Sequence, residues 1–190
     1  MSQPIWRAVV HRLAVPDRGK PWTLAMEFVT PGKVMMVRVA TDPPPAVLVD
    51  PAAQAADPAA QLENPREAQA GDRAPELPPF GTWKPEKFVT ECSPDGDFDG
   101  ASRGDNYPLG ALPVPSAAPG ALVARIGGSP ADLTIEPTAA MPRLAFAIGR
   151  TCVFTVPSTV SGSLYLGIND DPTRIGKVTG ELVVDVFEAL

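Results

Sequence analysis

Asp95-Gly96-Asp97-Phe98-Asp99-Gly100 sets three carboxylates at alternate positions of a short loop. Alternate side chains of a turning loop converge on one side, which is what a hard cation requires. The run matches the first half of an EF-hand calcium loop, with Gly100 at the tight turn. The twelfth position departs from that pattern, being Asn106 where a bidentate Glu would stand, although Asp105 beside it is a further oxygen donor. The same residues also make an ordinary solvated Asp/Gly turn. A second polar run, Asn169-Asp170-Asp171-Pro172, is followed closely by Arg174. Asp before Pro is again a common turn. The candidate ligand-binding residues are therefore Asp95, Asp97, Asp99, Asn169, Asp170, Asp171 and Arg174. Asp97 and Asp170 are the first candidates for metal ligands, and Ca²⁺ is the one cofactor that these oxygens suit.

Other chemistries find little support. The single His, His11, lies in a β-like run with no nucleophile beside it. There is no Gly-x-Ser-x-Gly elbow, no phosphate-cradling glycine loop before a helix and no dinucleotide fingerprint. The two cysteines, Cys92 and Cys152, form no Cys-x-x-Cys motif, so a zinc site is not expected. Cys152, between Thr151 and Val153, reads as a buried thiol, with a disulfide to Cys92 left open. The net charge is −6 and the cations are scattered, so the basic patch of a nucleic-acid binder is missing. The expectation is a protein that is not an enzyme.

The elements that must position these loops are strands. Pro accounts for 24 of the 190 residues, with 16 Gly beside them. Pro removes a backbone donor and clashes with the preceding helical turn, so long helices are disfavoured. Short apolar runs bounded by turn residues recur along the chain. They cover 5–15, 22–29, 34–40, 88–91, 122–126, 144–148, 151–156, 164–168 and 182–187. Thr30-Pro31-Gly32-Lys33 is a tight turn, since Pro presets one φ and Gly supplies the positive one. Gly149-Arg150 reads as the two-residue turn of a hairpin. The fold expected is an all-β sandwich or jelly-roll of eight or nine short strands, one domain spanning 1–190. Residues 43–79, rich in Pro and Ala, read as an insertion within it. Trp22 and Trp83 are candidates to stack on a sugar ring, but read first as core.

Several of these residues together resemble the LecA-like family of bacterial galactose-binding lectins. Gly120 to Gly127 is similar to that family's Gly-Ala-Leu-x-x-x-Ile-Gly strand, and Gly162 to Asp171 to its Gly-x-Leu-Tyr-Leu-Gly-x-Asn-Asp segment. Gly176 and Thr179-Gly180 resemble the loop before its last strand. Ser93 to Asp97 resembles an earlier loop that shapes the sugar site. Trp6 and the Pro31-Gly32 turn are similar to its opening strands. The likeness is good over 120–190, loose over 1–40 and absent over 43–79. It implies a β-sandwich with a Ca²⁺ and sugar site at the last loop. There Asp170 would supply a carboxylate and Arg174 a backbone carbonyl. The two Asn positions of that site fall on Lys177 and Val178, neither of which offers a side-chain oxygen.

Two functions follow as expectations. One is a structural or accessory subunit whose segment 43–79 lies against partner chains of an assembly. The other is a galactose-type carbohydrate-binding module, with or without Ca²⁺. No nucleic acid is expected as a partner. The first residues lack the basic and apolar regions of a signal peptide, and no apolar run approaches roughly 18 residues. The expectation is a chain that spans no membrane; its default place is the cytoplasm or an assembly, with export by a route that the sequence does not show left open.

Overall fold

The computed structural model describes residues 4–16, 20–40, 81–103, 107, 112–131 and 144–190. The insertion expected at 43–79, with Asp105 and Asn106, lies outside them. The described chain is nearly all β, as its Pro and Gly content leads one to expect. Its strands are β1 (Trp6–Val15), β2 (Thr23–Val29), β3 (Val34–Val39), β4 (Trp83–Lys84), β5 (Leu122–Ile126), β6 (Leu144–Ala147), β7 (Thr151–Thr155), β8 (Gly162–Ile168), β9 (Thr179–Gly180) and β10 (Leu182–Ala189). One turn-rich segment, Pro172–Lys177, winds as a 3₁₀ helix. Among the described residues no helix is long and apolar enough to cross a membrane.

Two four-stranded antiparallel sheets form the sandwich, in the orders β1-β10-β3-β7 and β2-β8-β5-β6. A small third sheet pairs β4 with β9. The chain crosses between the two large sheets repeatedly, although β5 and β6 follow one another within one sheet. The Pro31-Gly32 turn carries the chain from β2 in one sheet to β3 in the other. Gly149-Arg150 does the same between β6 and β7, so it is a corner and not the hairpin turn that its sequence suggests. The corner is held from outside. Ile148 and Gly149 both donate backbone N–H bonds to the Leu122 carbonyl, and Arg150 donates its own to Asp95. The run 88–91 is likewise no strand: it follows a turn closed by Phe88 N–H on Pro85 O, makes a lone bridge from Phe88 to Arg103 and then bends.

The core follows from strand parity. Met35, Val37 and Val39 of β3 and Leu182, Val184 and Val186 of β10 face inward from one sheet. Leu122, Ala124 and Ile126 of β5 and Leu164, Leu166 and Ile168 of β8 meet them from the other. All of β5 is buried, because its second face is also covered: Val123 packs with Trp22, Val114 and Tyr165. Trp22 and Trp83 are both core residues, 1% and 0% exposed. Cys92 and Cys152 are free thiols, the first buried and the second only half-buried.

At the sheet edge β1 bulges twice against β10. Arg12 takes a positive φ of 53° there, and Asp185 steadies it by accepting the Arg12 N–H at 2.9 Å. Asp185 also meets His11 Nδ1 at 2.9 Å and lies 3.8 Å from the Arg38 guanidinium.

Candidate functional site

Both acidic loops rest on the same buried platform. Trp83 donates its indole N–H to Gly120 O at 2.7 Å, and Cys92 Sγ approaches the same oxygen at 3.7 Å. Gly120 has φ 76°, and a Cβ on it would stand 2.8 Å from Cys92 Sγ and 2.9 Å from the Phe88 ring. Only Gly fits, which is why the start of β5 lies so close to the 83–92 turn. Burial pushes the Cys92 thiol up to about 12, and the charges of nearby Asp97 and Asp170 push the same way. The two candidate metal ligands therefore share a neighbourhood around Cys92.

Their carboxylates are already engaged. Asp97, 4% exposed, accepts Ser102 N–H at 3.1 Å on one oxygen and Arg103 Nε at 2.8 Å on the other. Its backbone N–H reaches Pro119 O at 2.9 Å, and Gly96 before it has room for no Cβ, with Pro119 O and Ala121 N each at 2.7 Å. Asp95 turns to the sandwich corner, where it pairs with Arg150 Nε at 2.6 Å. Asp99 is held below the usual carboxylate range, first by the Ala101 N–H and then by its neighbour Asp97. The alternate carboxylates thus brace one loop and tie it to two others.

The second run divides its tasks residue by residue. Asn169 is fully buried. Its Oδ1 accepts Val114 N–H at 2.9 Å, and its amide N–H group faces Val114, Ala117 and Ala118 carbonyls, each at 3.0 Å. It pins the segment that covers β5. Asp170 is also fully buried; its Oδ1 accepts the Tyr107 hydroxyl at 2.6 Å and Asp171 N–H at 2.7 Å. Its Oδ2 has no hydrogen-bond partner among the described residues. Burial and the Asp170 carboxylate push the Tyr107 hydroxyl well above its ordinary value. Asp171 begins the 3₁₀ helix as an N-cap: it accepts Thr173 N–H and hydroxyl on Oδ1, and the Arg174 guanidinium at 2.9 Å on Oδ2. Lys177 turns outward and joins Glu86 at 2.7 Å. Val178 packs against the core.

Among the described residues the candidate Ca²⁺ ligands are mostly engaged with neighbouring groups. Ca²⁺ takes about six to eight oxygens, whereas Asp170 Oδ2, buried, and the second oxygen of exposed Asp99 are the carboxylate oxygens left without a hydrogen bond among the described residues. Arg103 occupies Asp97, Arg174 occupies Asp171, and Lys177 and Val178 bring no oxygen. Among the described residues no three or more His, Cys, Asp or Glu side chains are grouped to hold a metal.

Three contributors to this arrangement are not among the site residues that the sequence suggests. Tyr107 lies far along the chain from Asp170 and carries no local signal. Trp83 reads from the sequence as core, but its indole bond to Gly120 O has no sequence signal. Arg125 was visible as the single charge in Leu-Val-Ala-Arg-Ile: it is fully buried on the outer side of β5, its guanidinium 4.6 Å from the Trp22 ring and 4.9 Å from the Tyr165 ring, donating to Ser129 O. No protein-family model matches the chain, and no curated protein does.

Proposed function

We propose that this protein is a non-catalytic β-sandwich interaction module, an accessory or structural subunit that docks on partner chains. The observation that supports it is the use made of the acidic residues. Asp95, Asp97 and Asp99 are spent inside the molecule, and the loop that they brace holds Phe98 in solvent at 78% exposure. A rigid loop presenting one large aromatic costs little conformational entropy on docking, which suits a partner's apolar pocket. Segment 43–79 remains the second docking element proposed from its composition. The test is to isolate the full chain with its native partners, alongside Phe98→Asp and a chain lacking 43–79. Co-isolation that weakens in both variants, with thermal stability kept, supports the reading. A wild-type chain that is isolated alone sinks it.

One observation favours the second reading, a LecA-like sugar-binding module. Asp170 carries a buried oxygen with no partner among the described residues, on the loop where the resemblance puts the ligand. Against it, Asp170 and Asn169 are both 0% exposed, so a sugar hydroxyl reaches neither without the loop opening. Calorimetric titration with Ca²⁺ and then galactose separates the readings: a flat trace is expected, and saturable heats for both would restore the lectin.

A further inference from the structure

The sheet β1-β10-β3-β7 ends on β7, and no strand of the described residues lies beyond it. Open edges template pairing with other chains, and proteins usually blunt them with charges, bulges or brevity. Three of the four sandwich edges here are blunted in this way. β1 carries Arg7, His11 and Arg12 and bulges twice. β2 carries Glu27 and is irregular against β8. β6 has four residues. β7 is different. Its sequence, Thr151-Cys152-Val153-Phe154-Thr155, has no charge, no Pro and no Gly, and its register with β3 is unbroken.

The ladder shows which backbone groups β7 leaves free. Val39 N–H donates to Arg150 O, and Val156 N–H to Lys33 O. Bonding residues alternate along an antiparallel pair, so Arg150, Cys152, Phe154 and Val156 turn toward β3. Thr151, Val153 and Thr155 turn their N–H and C=O groups outward. Phe154 and Cys152 point side chains into the core, Phe154 meeting the Phe146 ring edge-on at 4.7 Å. Val153 stands on the outer face, 54% exposed. It ends a cross-strand row, Ala8–Phe187–Met36–Val153, that runs over the whole sheet.

We infer that β7 is a self-association edge: two copies pair antiparallel through β7 about a two-fold axis at Val153. That register sets Val153 against Val153 of the second copy, and each Thr151 against a Thr155. All three outward-facing residues then exchange both backbone bonds. No like charges meet, because the strand has none. Cys152 faces Phe154 on the inner side, and the apolar row of one copy continues into the row of the other. The strand is close to a palindrome by residue class, hydroxyl–apolar–Val–apolar–hydroxyl, which is what an isologous contact requires. A second copy is therefore the occupant that its chemistry fits. The inference goes beyond the proposed function, since it concerns the chain's own copies and holds equally for a sugar binder.

Sedimentation equilibrium of the full chain under reducing conditions is the test, taken up to about 1 mM. A reversible monomer–dimer equilibrium is expected, with a dissociation constant on the order of 10–100 µM for so short a contact. Val153→Lys places like charges opposite one another on the axis and should leave a monomer at every concentration. Val153→Pro removes only an outward N–H and should do the same. Both keep the wild-type thermal midpoint if the fold is untouched; should the Pro variant unfold, the Lys variant decides. Leu24→Lys, on the β2 edge, should still dimerise. A monomeric wild-type chain, a dimer that survives Val153→Lys, or a dimer lost equally in Leu24→Lys overturns the inference.

Discussion

Asp170 shows how a residue with the right type and place for chemistry is absorbed into structure. One oxygen is held by Tyr107 and by the backbone of Asp171, and the other is buried and unbonded among the described residues. Removing one of the two bonds from a buried carboxylate is costly, because the group loses a donor without regaining water. Tyr107→Phe is expected to lower unfolding free energy by about 2 kcal/mol in urea titration, with the slope unchanged. A loss below about 0.5 kcal/mol would mean that water reaches Asp170 and takes over the bond. The same cluster sets the alkaline limit. Cys92 and Tyr107 are neutral when protonated, and both are raised in the fold. Their contribution is fully present below the unfolded thiol value, about pH 8.5, and is lost as pH rises toward the folded values. Thermal midpoints measured from pH 7 upward should fall above about pH 9, and Cys92→Ala should flatten the first part of that fall.

Among the elements, what was legible in the sequence was the strands, and what was hidden was their pairing. Periodicity locates Val34–Val39 or Thr151–Thr155, because each must bury one face. It says nothing of which sheet a strand joins. Gly149-Arg150 has the chemistry of a hairpin turn, yet Asp95, distant in sequence, and the Leu122 carbonyl hold it as a corner. The carboxylates of the acidic loops are engaged within the fold for a related reason. Spacing makes carboxylates converge only if nothing nearer claims them, and Arg103, Arg150 and Arg174 are nearer. Asn169-Asp170-Asp171-Pro172 was legible as a turn, and Asp171 acts there as a helix cap. Its carboxyl is held below the ordinary range by the Thr173 hydroxyl first, so the cap is intact above an unfolded value of about 3.9 and weakens as pH falls through the folded one. Asp171→Ala should cost about 1 kcal/mol at neutral pH. Chemical denaturation at pH 7 checks this, and a change indistinguishable from zero would show that Pro172 fixes the helix start unaided.

For the whole molecule, the sandwich behaves as one core only if inward positions carry far more stability than outward ones on the same strands. Leucine gives the comparison within a single sheet. Leu166 of β8 is 0% exposed, between Ala124 of β5 and Thr23 of β2, and it belongs to the central cluster. Leu24 of β2 is 42% exposed and lies one register position away, opposite Tyr165. One residue of slip would exchange such faces, so the difference between them measures how firmly the register is set. Truncating Leu166 removes buried methyl groups and leaves a cavity that the two facing sheets cannot close. Leu166→Ala is expected to cost about 2–5 kcal/mol, and Leu24→Ala less than about 1 kcal/mol. Calorimetric scans of both variants decide it. A single sharp transition displaced strongly in Leu166→Ala and barely in Leu24→Ala marks one cooperative core. If Leu166→Ala instead splits the transition in two, the sheets unfold separately and the sandwich is two weakly coupled layers.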